Sequence, residues 1–346
     1  MRRRMTIAAL SAILLTLAIA APAAASTSTA PLAQVTGVGV HNAYDQATYP
    51  YLADGLDSGA SLLELDVWVD TVFHRWRVSH DNPLGDSNNC AAASTVAQLR
   101  TGSRNQDLGV CLDDLRIWGA AHPNHPPVVI KVEVKAGFNA TAGYGPAAFD
   151  QLVASKLGGA VFRPSDLLGN YPTLDAAAQA DNWPSRTALA GKFLFELIPG
   201  TVEQANPFDH LWTDTEYAQY LRGLAAAGTL GGAQAFPAVL NAAAGDPRTR
   251  YPDTTLRPWF VFFDGDASAY VGGGIDTSWY DTHHYFLIMT GAEGVSPALD
   301  DRNPTLAQAQ GRVAQLAAAH ASIVSCDWSS LPSVLAEVLP RGTDQV

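Results

Sequence analysis

Short apolar runs of strand length recur along the chain, and alanine-rich stretches with helical spacing of apolar residues lie between several of them. Runs of this length are typical of buried strands, and the stretches between them are typical of helices. The clearest helix is predicted over 305–321, with Thr305 as its N-cap. Eight strands are predicted: 35–41, 62–69, 77–80, 128–134, 192–197, 258–263, 285–289 and 322–325.

Eight strands with intervening helices predict an α/β fold, the (β/α)8 or TIM barrel. The link between the second and third predicted strands is too short for a helix, so we expect an irregular barrel. No Pro/Ser-rich segment or charge run divides the chain, which favours a single domain. In such barrels the active site lies at the C-terminal ends of the strands.

Charged residues interrupt two of the predicted strands on one face. Because side chains alternate along a strand, Glu64 and Asp66 share a face, and so do Lys131, Glu133 and Lys135. Packing the aliphatic faces against helices would direct these charges into the barrel mouth, where an unpaired charge is costly. Two interpretations remain open: Lys131 neutralises the carboxylates in a structural ion-pair network, or the carboxylates converge on a metal ion.

Two histidines flank the strand that carries the carboxylates. The first predicted strand ends in His41-Asn42 and the third ends in His80. A single histidine at a strand end is usually structural. Two that face each other across paired carboxylates, at the catalytic end of a barrel, indicate a reaction centre.

The candidate metal ligands of this region offer oxygen atoms only. They are Asn42, Glu64, Asp66 and Glu133. Such a set suits Ca²⁺ or Mg²⁺ and not Zn²⁺. Outside the cell, calcium is the expected ion. Asp264-Gly265-Asp266, which follows another apolar run, could add a ligand but is interpreted as a tight turn.

The N-terminus carries the pattern of a secretory signal. Arginines at positions 2 to 4 precede an apolar run over 7–20 and then alanines at positions 23 to 25. We therefore expect a signal peptide over 1–25, a barrel domain over 26–346, and a secreted protein without a transmembrane anchor.

The net charge bears on the possible partners, and the cysteines predict one disulfide. The formal net charge is −12, and loss of the three leader arginines would make it −15 and leave no Lys/Arg cluster; a nucleic-acid partner is therefore excluded. Cys90 and Cys111 lie in one polar stretch, whereas Cys326 lies in an apolar run. In an oxidising compartment we expect a Cys90–Cys111 disulfide.

His41-Asn42, Glu64-Leu65-Asp66, His80 and Glu133 resemble, in order and context, the motifs of the calcium-dependent phosphatidylinositol-specific phospholipases C. The resemblance covers residues 35–135. Metal-independent relatives place an arginine where this chain has Asp66, so the resemblance implies dependence on Ca²⁺. It also implies a secreted phosphodiesterase that binds the phosphatidylinositol head group transiently at a membrane surface, as a monomer.

The resemblance further implies roles for individual residues. His41 would stabilise charge on the phosphoryl oxygen, and His80 would protonate the leaving alkoxide. The general base stays open between Glu64 or Asp66 at the metal and His41. Three lysines are candidates for contacts with the phosphate or inositol, or equally for ion pairs of the barrel: Lys131, Lys135 and Lys192. Without a basic patch, unphosphorylated phosphatidylinositol is the expected substrate.

Two rival functions fit parts of the sequence. Glu64-Leu65-Asp66-Val67 followed by Val78-Ser79-His80-Asp81 also matches the glycerophosphodiester phosphodiesterases. That family follows its first histidine with arginine, whereas this chain has Asn42. The other rival is a catalytically inactive barrel that binds a lipid or a sugar.

Overall fold

The computed structural model describes residue 27, residues 29–81 and residues 86–342. The predicted signal peptide lies outside these residues. Ten strands occur in the described part: β1 (Val35–Val40), β2 (Leu62–Asp70), β3 (Arg75–Val78), β4 (Val128–Val134), β5 (Phe193–Pro199), β6 (Ala235–Leu240), β7 (Phe262–Asp266), β8 (Phe286–Thr290), β9 (Ile323–Cys326) and β10 (Val338–Pro340).

Eleven α-helices connect the strands within the same residues: α1 (Leu52–Asp57), α2 (Leu108–Ala121), α3 (Pro146–Leu157), α4 (Pro164–Leu168), α5 (Leu174–Gln179), α6 (Thr201–Gln204), α7 (Thr213–Ala226), α8 (Ala267–Gly272), α9 (Ser278–Thr282), α10 (Leu306–Ala318) and α11 (Pro332–Leu335). Short 3₁₀ helices lie at Leu32–Gln34, Val96–Arg100, Ala140–Ala142, Gly158–Ala160, Leu230–Gly232, Pro247–Arg250, Arg257–Trp259 and Ala292–Gly294. No helix of the described residues is both long enough and apolar enough to cross a membrane.

Eight parallel strands close into the predicted barrel. Their order is β1, β2, β4, β5, β6, β7, β8 and β9, and β1 pairs with both β2 and β9 to complete the ring. The other two strands are antiparallel additions, with β3 on β2 and β10 on β1. The (β/α)8 prediction is confirmed, and the short link that made the barrel irregular is the turn of the β2–β3 hairpin.

The strand assignment was wrong in several places, and the antiparallel strand β10 was not predicted. The predicted strand 77–80 belongs to the hairpin outside the ring, and the barrel strand β6 was missed. The β6 sequence, Ala-Phe-Pro-Ala-Val-Leu, contains a proline and two alanines, which weaken a strand signal. Pairing to β5 and β7 nevertheless fixes it as a strand. In addition, the run predicted over 258–263 begins as the 3₁₀ helix Arg257–Trp259 and becomes a strand only at Phe262.

Local predictions elsewhere hold. Helix α10 begins after Thr305, whose hydroxyl accepts the Gln308 N–H in a capping box. The predicted disulfide joins Cys90 and Cys111, with their Cα atoms 4.9 Å apart, and ties the segment that follows β3 to helix α2. Cys326 is buried at the end of β9. At the N-terminal ends of β6 to β8, rings of Phe236, Phe262 and Phe286 pack on Trp183, so this end of the barrel is apolar and structural.

Candidate functional site

The charged residues of β2 and β4 lie side by side because the two strands pair in parallel. Glu64 is opposite Lys131. Asp66 is opposite Glu133, and this pair lies two residues nearer the C-terminal ends of the strands. Side chains at paired positions of neighbouring strands point to the same face. The register therefore brings the carboxylates of both strands together at the C-terminal end of the barrel.

Glu64, Asp66 and Glu133 form a candidate metal centre. Each offers one carboxylate oxygen, and these oxygens lie within 4.8 Å of one another. Glu64 is 3% exposed and Asp66 is 1% exposed. In the described part of the chain, Asp66 Oδ1 is buried and has no hydrogen-bond partner. A buried carboxylate oxygen of this kind is costly unless a cation binds it, so the residues present fit a hard divalent cation.

Asn42 adds an amide oxygen beside this centre. It lies two residues after the end of β1 and has a left-handed backbone, with φ of 51°, and its backbone N–H donates to Glu64 Oε2 over 3.0 Å. The hydroxyl of Tyr44 lies 3.0 Å from Asn42 Oδ1 and 2.8 Å from Asp66 Oδ2. One hydroxyl thus spans the amide and the carboxylate, which places the amide oxygen at the edge of the carboxylate cluster.

Burial and charge act in opposite directions on the two β2 carboxylates. Burial, with the negative charges of Glu64 and Glu133, raises the pKa of Asp66 to about 8, against the influence of Lys135. Burial also opposes ionisation of Glu64, but Lys131 and His41 hold the pKa of that carboxyl well below its usual value. Carboxylates so closely packed require positive charge among them.

His41 is oriented by a residue that the sequence analysis missed. Its Nδ1 lies 3.0 Å from Asp327 Oδ1, and its Nε2 lies 3.4 Å from Glu64 Oε2. Burial lowers the pKa of His41, but the charges of Glu64 and Asp327 outweigh burial and raise it to about 9. Asp327 directly follows β9, so a search for charges just past every barrel strand would have found it.

His80 is positioned through the backbone. The N–H of Ser79 donates to the Asp66 carbonyl over 3.1 Å, and the Trp68 indole donates to the Ser79 carbonyl over 2.8 Å. These hydrogen bonds of the preceding residue hold the backbone of His80 beside the candidate metal centre. Its side chain is half exposed and lies 3.3 Å from Asp81, and the described residues show no contact between its ring and His41.

The three lysines have different surroundings. Lys131 Nζ lies 2.7 Å from Asp264 and 3.4 Å from Glu64, and Lys135 Nζ lies 3.1 Å from Asp66 and 3.0 Å from Glu133, so both are ion-pair partners. The prediction that Lys192 contacts the substrate is wrong. It precedes β5 at the opposite end of the barrel, where its ammonium donates to the Gly159 carbonyl.

A cavity of about 350 Å³ opens beside the metal centre, large enough for a phosphorylated six-membered ring. His41, Glu64, Lys131 and Glu133 line one side. The remainder combines the apolar side chains of Ile198, Pro199 and Leu240 with hydroxyl, amide and carboxylate groups: Thr201, Gln204, Asn241, Asp264, Asp266 and Thr290. The tight-turn interpretation of Asp264-Gly265-Asp266 was wrong, because these residues end β7 and Asp264 accepts from the Thr290 hydroxyl.

Comparisons with known proteins agree with this arrangement. Residues 48–216 match the family described as calcium-dependent phosphoinositide phospholipase C. The chain is also similar to a solved structure from Streptomyces antibioticus, a calcium-dependent phosphatidylinositol-specific phospholipase C. The two are 59% identical, the match covers 90% of this chain and 99% of the other, and the TM-score is 0.89.

More distant structures share the fold. A calcium-dependent phosphoinositol-specific phospholipase C from a Pseudomonas species, solved in the apo form and with myoinositol, is 21% identical; the match covers 91% of this chain and 96% of the other, with a TM-score of 0.66. A second crystal form of its apo form gives 20% identity over the same shares and a TM-score of 0.67. A search of curated proteins found no significant match.

Proposed function

Since this chain belongs to the calcium-dependent phosphatidylinositol-specific phospholipase C family, we propose that it cleaves phosphatidylinositol to diacylglycerol and a cyclic inositol phosphate at the site described above. The observation that carries the proposal is the convergence of Glu64, Asp66 and Glu133 beside His41, at the wall of a cavity that also presents hydroxyl, amide and carboxylate groups. The relative from Streptomyces supports the same activity across nearly the whole chain.

Four residues of the chain would hold the calcium ion: Asn42, Glu64, Asp66 and Glu133. When bound there, calcium lowers the pKa of the attacking hydroxyl and neutralises charge on the phosphate. The buried, unpartnered Asp66 Oδ1 and the oxygen-only donor set support this ion.

The two histidines would act on different oxygens of the phosphodiester. The inositol hydroxyl next to the phosphodiester passes its proton to a base, either Glu64 or Asp66 at the metal or His41, and attacks phosphorus, and the bond from phosphorus to the glycerol oxygen breaks. His41, held by Asp327, would stabilise charge on the phosphoryl oxygen. His80, attached beside the centre through Ser79, would donate a proton to the departing glycerol oxygen.

The cavity favours an inositol ring without further phosphates. Its lining offers hydroxyls, amides and carboxylates, which suit ring hydroxyl groups. Lys131, the lysine in the lining of this cavity, already forms ion pairs with Asp264 and Glu64. Additional phosphates on the ring would therefore meet carboxylates instead of unpaired cations, so we expect phosphatidylinositol to be cleaved faster than its bisphosphate.

Phosphorus NMR of the products tests the proposal directly. With calcium, phosphatidylinositol should give cyclic inositol phosphate; with chelator it should stay intact. Release of glycerol phosphate from glycerophosphoinositol would favour a glycerophosphodiester phosphodiesterase instead. No product from either compound would indicate an inactive binding barrel, and unchanged cleavage in chelator would contradict the metal assignment.

We also propose that an apolar rim docks the enzyme on the membrane. The rim consists of Val72 and Phe73, in the β2–β3 turn, and of Val202, Phe208 and Leu211, in the segment after β5. Phe208 is 89% exposed, Val72 77% and Phe73 65%. Both segments follow the C-terminal ends of barrel strands, which is the end that carries the cavity. The acidic chain lacks a basic cluster, so apolar insertion is the interaction available to it.

Replacing Phe73 and Phe208 together with serine should lower activity on phosphatidylinositol vesicles by roughly 30-fold to 800-fold, since each inserted ring contributes about 1–2 kcal/mol. Activity on a monomeric short-chain phosphatidylinositol should stay close to the wild-type value. Vesicle co-sedimentation and initial rates measure both effects. Tyr171→Ser, which removes an exposed ring outside the rim, is the control; equal losses on both substrates would contradict the docking role.

We also propose that the protein is secreted. The Cys90–Cys111 disulfide requires an oxidising compartment to form and persist, which supports secretion. The signal pattern over 1–25 supports it independently.

A further inference from the structure

Lys135 places a positive charge among the candidate metal ligands. Its side chain is almost fully buried, and its Nζ lies 3.1 Å from Asp66 Oδ2 and 3.0 Å from Glu133 Oε1. Two of the three carboxylates of the metal centre are therefore bridged by one ammonium group. The mechanism proposed above does not use this group.

The backbone of Lys135 cannot follow any movement of its side chain. Its N–H donates to the Val67 carbonyl over 2.8 Å, and its carbonyl accepts from Glu203 over 2.9 Å. The backbone also packs against Gly200 so closely that a Cβ atom there would lie 2.3 Å from Lys135 Cα. Only rotation about the side-chain bonds can carry the ammonium toward or away from the carboxylates, and lysine has four of them.

The carboxylates need this charge as long as no other cation is bound. Three carboxylates with oxygens within 4.8 Å repel one another strongly in a water-poor site. Lys131 compensates Glu64 but is shared with Asp264. Lys135 compensates the other two, Asp66 and Glu133.

A calcium ion and the ammonium group would draw on the same two carboxylates: the ammonium contacts Asp66 Oδ2 and Glu133 Oε1, and the buried Asp66 Oδ1 has no hydrogen-bond partner. Calcium binds carboxylate oxygens at about 2.3–2.6 Å. An ammonium that kept its present contacts would then lie within a few ångströms of a doubly charged ion, where like charges repel strongly. Binding of calcium thus requires the ammonium to leave at least one of its two carboxylates.

We propose that Lys135 is the internal counter-ion of the calcium site: it holds Asp66 and Glu133 together without calcium, is displaced when calcium binds, and thereby weakens the affinity for calcium. The proposal rests on the assignment of Glu64, Asp66 and Glu133 as calcium ligands. It makes Lys135 a residue that sets the calcium concentration at which the enzyme works, and not a contact to the lipid.

Calcium titration by calorimetry of the full chain, without substrate, tests the proposal. Lys135→Met keeps the length of the side chain but removes its charge, and it should bind calcium roughly tenfold more tightly than the wild type. Lys135→Gln is a second neutral variant in case the methionine variant does not fold. Lys192→Met is the matched control, because it removes the same charge at the far end of the barrel and should bind calcium like the wild type.

Thermal unfolding supplies the second readout. In chelator, Lys135→Met should unfold at a lower temperature than Lys192→Met, and calcium should raise its unfolding temperature by more. Unchanged or weaker calcium binding by both neutral variants would overturn the proposal, and so would equal unfolding temperatures in chelator. If the wild type binds no calcium, the metal assignment itself fails and the role of Lys135 fails with it.

Discussion

Replacing Asp66 with asparagine should lower kcat/KM for phosphatidylinositol by roughly three orders of magnitude, measured at a calcium concentration that saturates the wild-type enzyme. Asp66 lies at the centre of the site, next to Glu133 across the strand pair and in contact with Tyr44 and Lys135. Asparagine keeps the shape and one oxygen but removes the charge that calcium requires. Initial rates and calorimetric titration with calcium measure the two consequences on the same preparation.

The loss should appear in calcium affinity as well as in rate. Asp113→Asn, which makes the same chemical change on the outer surface of helix α2, is the control and should behave like the wild type. An Asp66→Asn enzyme that binds calcium as tightly as the wild type would remove Asp66 from the ligand set. Wild-type activity in that variant would remove the metal centre from the mechanism.

Replacing His80 with alanine should lower kcat on phosphatidylinositol by about two to four orders of magnitude, the usual contribution of a general acid. The glycerol alkoxide is a poor leaving group and needs a proton as the bond to phosphorus breaks. An aryl ester such as p-nitrophenyl inositol phosphate releases a stable phenolate without one. The same variant should therefore retain most of the wild-type rate on the aryl substrate.

The comparison of two leaving groups separates general acid catalysis from other causes of lost activity. His41→Asn is the matched control: it removes the other histidine of the site, whose role is at the phosphoryl oxygen, so both substrates should be affected. If His80→Ala slowed both substrates equally, His80 would position the substrate or the loop and would not be the proton donor.

The sequence by itself determined the fold class and the chemical type of the site. Period-two alternation puts Glu64 and Asp66 on one face of the strand over 62–69 and Glu133 on one face of the strand over 128–134, and packing of the aliphatic faces against helices predicts that both charged faces point into the barrel. Under the metal interpretation, donors that offer only oxygen favour a hard cation. The cysteine pair and the capped helix α10 were likewise predictable, because both depend on residues close together in sequence.

Only the tertiary structure decided which distant residues complete the site. Asp327 meets His41 across 286 positions of the chain, and Asp264 meets Lys131, because closure of the barrel brings β9 beside β1 and β7 across from β4. It also decided against Lys192, since a residue that precedes a strand lies at the end opposite to one that follows it. Alternation along a strand tells which face a side chain takes, but it does not tell which distant strand lies beside that face. The metal centre therefore gained its orienting acid, Asp327, only through closure of the barrel.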